Sequence, residues 1–399
     1  MKIKKIISLL LAVIMITALP VTSFAASTSE NYHVYANGIR VTEDNCDDIL
    51  GDGGSVKYDK KNSTITLTNA KITKANQYAG MSWYGLQIDT DTTHKIELVG
   101  NNVIDLRNFK PETDNTVFEI CALSADGTIE FYGNGSLKLY TPDCNDSSAL
   151  DYGASLYFDG CKVEIHSGDG WDCASGIDYS VSPNRFEHIG LENGAELKVY
   201  AGNIENKSRS ILEHEGIRCS NLKVDKTSKC YVETGDVTMG DIEYATNVAI
   251  TAGRVFGGGE VTAIAGKVTY TSAMSREKCV SCGIYDIGWP MSEEHANGTF
   301  LADMTIIASG YDCGTYSTNI NLYDMSDKID IFVSENIDGS DLKYLKDGER
   351  LGNYKYVMIC PEGEVVIEEE EEEKSFFEMV IDFFVGLFEG FINFIMTLL

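Results

Sequence analysis

The 399-residue chain carries 61 Asp and Glu against 32 Lys and Arg, a formal net charge of −29. So negative a surface repels nucleic-acid phosphates and anionic headgroups, which excludes nucleic acid as a partner. With only six prolines, 37 glycines and abundant Thr, Val, Ile and Tyr, the composition predicts strands joined by tight turns, an all-β protein.

Lys2, Lys4 and Lys5, the apolar stretch Ile6 to Leu19, and Ser23-Phe24-Ala25-Ala26 follow the order of a secretory signal peptide over residues 1–25. A membrane anchor is the alternative, but the 14 apolar residues fall short of the roughly 20 that span a bilayer. Removal of the three lysines takes the charge from −29 to −32, and the mature chain is expected outside the cell, secreted or surface-associated.

Residues 26–72 open with a hairpin-like segment and then Ile65-Thr66-Leu67, expected to be an N-terminal cap and first coil. Residues 73–274 hold a degenerate repeat beginning at Gly85, Ala122, Ala149, Gly176 and Gly216. Each unit has an apolar-polar-apolar opening, a second step such as Ile129-Glu130-Phe131, and a third such as Leu137-Lys138-Leu139. Third steps recur at Leu137, Val163, Leu197 and Cys230. Strands this short bury no face alone, whereas stacking coil on coil closes a continuous core. The expected fold is a right-handed parallel β-helix, a pectate-lyase-like solenoid, with a two-sheet sandwich as the competing arrangement. The leading file should place Leu137, Val163 and Leu197 about 4.8 Å apart per coil.

Eleven cysteines follow no small-domain disulfide spacing. Cys161, Cys219 and Cys230 fall in the inward phase of strands and are expected as buried thiols. Residues 275–364 break the repeat and read as irregular terminal coils or a small β-module. Within them Cys279 and Cys282 form a CxxC. Zinc needs four ligands and only His295 and Cys313 lie nearby, so a disulfide or packed thiols is expected. Trp289, beside Pro290, reads as packing.

Residues 365–375 form an acidic linker with six glutamates from Glu368 to Glu373, and 376–399 an amphipathic, mostly apolar helix. Glu378, Asp382, Glu389 and Asn393 fall on one stripe. Phe376, Phe377, Phe383, Phe384, Leu387, Phe388, Phe391 and Phe394 build the face expected to meet a membrane or another helix.

The segment "NGIRVTEDNCDDILGDGGSVKYDKKNSTITLTNAKI" and the stretch "DGSDLKYLKDGERLGNYKYVMI" from Asp338 resemble the start and end of a module in secreted and surface proteins of anaerobic Firmicutes. The resemblance covers about residues 32 to 360. It implies a carbohydrate-binding-like β-helix domain and carries no catalytic residues to transfer. This chain departs from it in having more cysteine and fewer "GG" turns.

Trp83-Tyr84 and Trp171 lie beside acidic residues, where an aromatic face stacks on a sugar while carboxylates accept its hydroxyls. Corner packing is the competing role. Asp143, Asp146, Asp169 and Asp172 sit in loops of successive coils and form a candidate Ca²⁺ site, though 61 acidic residues also produce such pairs by chance. A polysaccharide lyase would need a basic residue beside acid-bound calcium, and Arg107, Arg185 and Arg218 are scattered. No phosphate loop, nucleophile elbow or helical zinc motif occurs. The expected function is noncatalytic binding of a polysaccharide or a host or cell-wall glycan, with no cofactor unless calcium. A ligand-free surface stalk and a calcium-dependent lyase are the alternatives.

Overall fold

A computed structural model describes residues 30–78, 80–111, 119–179, 188–206, 211–240, 244–270, 279–286, 304–317, 329–346 and 348–365. The expected signal peptide, the glutamate run, the tail helix 376–399 with its apolar face, Arg185, Trp289 and His295 lie outside the described residues. The chain is all-β, a parallel β-solenoid of about six turns, and no α-helix occurs among the described residues.

Three strand files run the length of the solenoid. Face 1 stacks Thr64–Thr68, His94–Val99, Ile129–Tyr132, Ser155–Asp159 and His188–Glu192, then the last residues of Ile211–Val224 and Tyr244–Gly257, all parallel. Face 2 stacks Lys71–Ile72, Asn101–Asp105, Ser136–Tyr140, Lys162–His166, Glu196–Ala201, Lys229–Thr234, Glu260–Ile264 and Thr305–Ser309. Face 3 stacks Ser82–Ile88, Glu119–Ala125, Cys144–Tyr152, Ile177–Tyr179 and three longer strands that end with Cys279–Asp286, followed by Cys313–Ser317. A short corner rib joins faces 2 and 3 through Gly170–Cys173, Ile204–Asn206, Val237–Met239 and Val268–Tyr270.

The register follows from the alternation. Leu137, Val163, Leu197, Cys230, Val261 and Ile306 occupy one inward file, each opposite the next. All are essentially without exposure. A one-residue slip would turn every one of them to solvent, so burial fixes the register. The file begins with Asn102, a buried amide whose needs are met: it accepts the Ala70 N–H at 2.8 Å and donates to the Ser136 carbonyl at 3.1 Å. On face 1, Phe131 and Phe158 stack at 5.0 Å between centroids, their planes almost parallel, inside the coil. Cys161, Cys219 and Cys230 are all buried in apolar slots, and Cys161 and Cys230 are free thiols.

One feature of face 3 has no counterpart in simple alternation. Gly85, Ala122, Ala149, Gly176, Gly216, Ala249, Gly283 and Gly314 fall in register, and ladder pairing skips this file in the strands that flank it. A Cβ on Gly85 would come within 2.7 Å of the Ala122 carbonyl oxygen and 2.9 Å of Ile104 Cγ2 on face 2. The sheet bends here toward face 2, and only small residues fit the approach.

Both ends are closed. Asn31–Ala36 pairs antiparallel with Ser82–Ile88, and Val56–Asp59 with Thr64–Thr68, which covers the first open edges. At the far end Tyr356–Pro361 runs antiparallel to Thr305–Ser309, Ile329–Ser334 runs beside it, and the two-residue strand Lys343–Tyr344 finishes the sheet. The 275–364 region therefore continues the coils through Ser317 and then reverses into an antiparallel cap.

Candidate functional site

The rib corner carries the most exposed large aromatic ring among the described residues, Trp171, 61% exposed. Register explains its position. Gly170 pairs with Ile204 on the next coil, which aligns Trp171 with Glu205; toward the previous coil Cys144 pairs with Gly170 and Asp146 with Cys173, so a bulge sets the single residue Asn145 opposite the Trp171-Asp172 step. Asp172, the next residue, receives a hydrogen bond from Asn145 Nδ2 at 3.0 Å. An indole with an open face thus lies among carboxylates and an amide, the arrangement that packs a sugar ring and accepts its hydroxyls.

The four aspartates expected as calcium ligands have other work. Asp143 Oδ1 accepts the Asp169 N–H at 3.0 Å, and Asp169 Oδ1 accepts the Asn203 N–H at 2.8 Å. Asn203 Oδ1 then accepts the Asp236 N–H, and Asp236 Oδ1 the Lys267 N–H, both at 2.8 Å. This is a corner ladder in which each side chain satisfies the backbone of the coil above, where the turn leaves an N–H without a strand partner. Asp146 and Asp172 lie on neighbouring strands of the same corner, and both make further polar contacts. No group of three or more His, Cys, Asp or Glu suited to a metal occurs among the described residues.

Trp83 and Tyr84 belong to the first strand of face 3, three coils from Trp171. Coils about 4.8 Å apart separate the two sites by roughly 14 Å along the axis. They lie within the strand Ser82–Ile88. Trp83 packs against Phe109 at 5.4 Å and is half-buried. Tyr84 is 8% exposed and its hydroxyl meets Glu119 Oε2 at 3.2 Å. Burial first, and then the Glu119 carboxylate, push its phenol far above the ordinary tyrosine range. Its ring is packing with a satisfied polar tip.

Two arrangements escaped the sequence. On the outside of face 2, Arg107 sits 4.2 Å over the Tyr140 ring, Tyr140 stacks on His166 at 4.8 Å, His166 on Tyr200 at 4.6 Å, and Tyr200 tilts on Tyr231 at 5.5 Å. The rings occupy each other's faces and show solvent their edges, so the ladder binds coil to coil. Ion pairs Lys138–Glu164 at 2.9 Å and Lys162–Glu196 at 2.6 Å run alongside. Tyr140, His166 and Tyr200, each three residues after the third-step apolar position of its unit, were the available signal.

The second is a cleft of about 330 Å³ at the C-terminal cap, between Tyr311, Lys355 and the loop Glu335 to Ser340. Tyr311 is 43% exposed, on a turn fixed by its own N–H to Ser281 Oγ at 2.9 Å and by Asp312 accepting the Ser281 N–H at 2.7 Å. Opposite, Asn336 N–H donates to Ser334 Oγ at 2.9 Å and the Ser340 N–H to Asp338 Oδ1 at 3.1 Å. The Ser340 hydroxyl and N–H hold the Asp338 carboxyl below its usual range, so the cleft keeps a negative rim at neutral pH.

The chain matches no protein family, no curated protein and no solved structure.

Proposed function

We propose that the protein is an exported, noncatalytic glycan-binding module, its coil wound right-handed as strand-to-strand crossovers nearly always are. The observation that carries the reading is the open indole of Trp171 beside Glu205, Asn145 and Asp172. An apolar ring with no partner would otherwise be a cost at so polar a corner. The Tyr311 cleft repeats the combination of one aromatic face with carboxylate, amide and hydroxyl groups. The strong negative charge favours neutral or amino-bearing saccharides over polyanionic ones.

Two of the three arginines weighed for a lyase are engaged. Arg107 makes two hydrogen bonds to Asp105, at 2.9 and 2.7 Å, and Arg218 lies 3.5 Å from Glu215. Binding without cleavage is the simpler use of these sites.

The test is a glycan array probed with the mature protein and with Trp171→Ala. Stacking on one ring is worth about 1–3 kcal/mol, so the variant should bind its best glycan roughly 5- to 100-fold more weakly with an unchanged thermal transition. A wild-type protein that binds nothing on the array would leave the solenoid as a structural stalk. Release of unsaturated sugars, seen by ultraviolet absorbance, would make it a lyase.

A further inference from the structure

We propose that Cys282 and Cys313 form a disulfide that staples the last two coils of face 3, and that the CxxC of Cys279 and Cys282 does not close on itself. Cys282 and Cys313 stand directly opposite each other on adjacent parallel strands. Adjacent strands lie about 4.8 Å apart, inside the roughly 4.4–6.8 Å window of Cα separations that a disulfide spans. Cys279 and Cys282 lie three residues apart on one extended strand, Cys279–Asp286. At about 3.3 Å per residue that is roughly 10 Å, beyond the reach of a bridge.

Among the described residues this is the one place where two cysteines share a register position. Cys121 faces Tyr84 and Ser148, Cys219 faces Ala252, and Cys230 faces Leu197 and Val261. The two cysteines stand here as unjoined, buried thiols, and with Val248 they form a small apolar cluster on which Val280 and Tyr285 pack. Burial pushes the Cys282 thiol up, so in the closed fold it is a poor nucleophile. The bond therefore forms while the terminal coil is still open.

The oxidant is another disulfide, small-molecule or protein. A thiolate at one cysteine attacks it, giving a mixed disulfide and releasing one thiol. The second cysteine, deprotonated, then attacks the protein-bound sulfur and releases the other thiol. One S–S bond is made in the protein, one is reduced in the reagent, and two thiol protons pass to the departing thiolates. The closed loop, from residue 282 to 313, holds the terminal coil beneath its antiparallel cap, where an array of stacked units would otherwise fray first.

The experiment refolds the full mature chain with a mixture of oxidised and reduced glutathione, or with reductant alone, then blocks free thiols with iodoacetamide and maps the digested peptides. The expected result is a peptide pair joined through Cys282 and Cys313 in the oxidised sample, with Cys161 and Cys230 alkylated only after denaturation. The oxidised protein should melt several degrees above the reduced protein. Cys313→Ala should lose both the crosslink and that difference. Recovery of Cys282 and Cys313 both alkylated after oxidative refolding, or of Cys282 joined to Cys279, overturns the assignment. The wild-type comparison decides the matter even if the variant fails to fold.

Discussion

His214 lies in the fifth coil of face 3, fully buried, on the strand side that meets the rib corner. Neither ring nitrogen has a hydrogen-bond partner among the described residues. Burial lowers its pKa from 6.5 to about 4, with the Gly202 backbone pulling weakly the other way. The ring is therefore neutral in the folded coil, while the unfolded chain takes up a proton near pH 6.5. Between those values the unfolded state binds more protons, so stability falls as pH falls. A separation of about 2.5 units amounts to roughly 3 kcal/mol, fully present above pH 6.5 and gone below pH 4. The assay is urea unfolding at pH 7.5 and 4.5 for the wild type and for His214→Leu, which keeps the volume and removes the titration. The wild type should lose roughly 2–3 kcal/mol more than the variant between the two pH values. Equal losses would mean that His214 is protonated in the fold or that its coil opens independently of the measured transition. An NMR titration of the wild-type ring, with a midpoint near 6.5, would refute the argument without any variant.

Phe131→Ala removes one of two stacked, buried rings and should cost about 3–5 kcal/mol in urea unfolding, because neighbouring coils prevent collapse into the cavity. Asn247→Ala should cost about 1–3 kcal/mol, since Asn247 Nδ2 donates to the Gly235 and Gly266 carbonyls and Oδ1 accepts from the Thr234 hydroxyl; a shift within error would show that water replaces the amide. Tyr311→Ala should leave the melting temperature unchanged within about a degree, because its ring is exposed and the backbone bonds that hold its turn remain.

The sequence pattern located the inward file because Leu137, Val163, Leu197 and Cys230 each sit in a local alternation of period two, and stacking identical steps is the cheapest way to bury them. It did not show the bend at Gly85 and its equivalents, since a small residue in a strand signals equally a turn, a bulge or a close approach. The rib corner was opaque for a similar reason. Asp143 and Asp169 look like cation ligands in one dimension, and only the coil-to-coil register reveals that Oδ1 of each receives a backbone N–H one turn above. For Tyr84 packing stood beside sugar stacking as an open alternative, because its strand runs unalternated, buried on both sides, and gives no facing signal. The CxxC was read as a unit for want of the knowledge that its residues lie along one strand. Its true neighbour, Cys313, is 31 positions away and adjacent only through the ladder.

Charge sets the final constraint on what the proposed Trp171 site would hold. Many of the lysines on the strand faces are paired with carboxylates on the next coil, as Lys138 with Glu164, Lys223 with Glu192 and Lys229 with Glu260. Such exposed pairs add little stability one by one, about 0–1 kcal/mol each. Their larger effect is to cancel the positive charge locally and leave the excess of carboxylates as the field a ligand meets. An anionic saccharide approaching Asp172 and Glu205 would be repelled by their carboxylates. A neutral saccharide pays no such penalty, and one carrying an ammonium group gains. Raising ionic strength should therefore leave the affinity for a neutral glycan unchanged and weaken that for an amino-sugar polymer, since the Debye length shrinks from about 10 Å at 0.1 M to about 3 Å at 1 M. Binding of an acidic polysaccharide that strengthens at low salt would place the recognising charges elsewhere on the chain and remove Trp171 from the site.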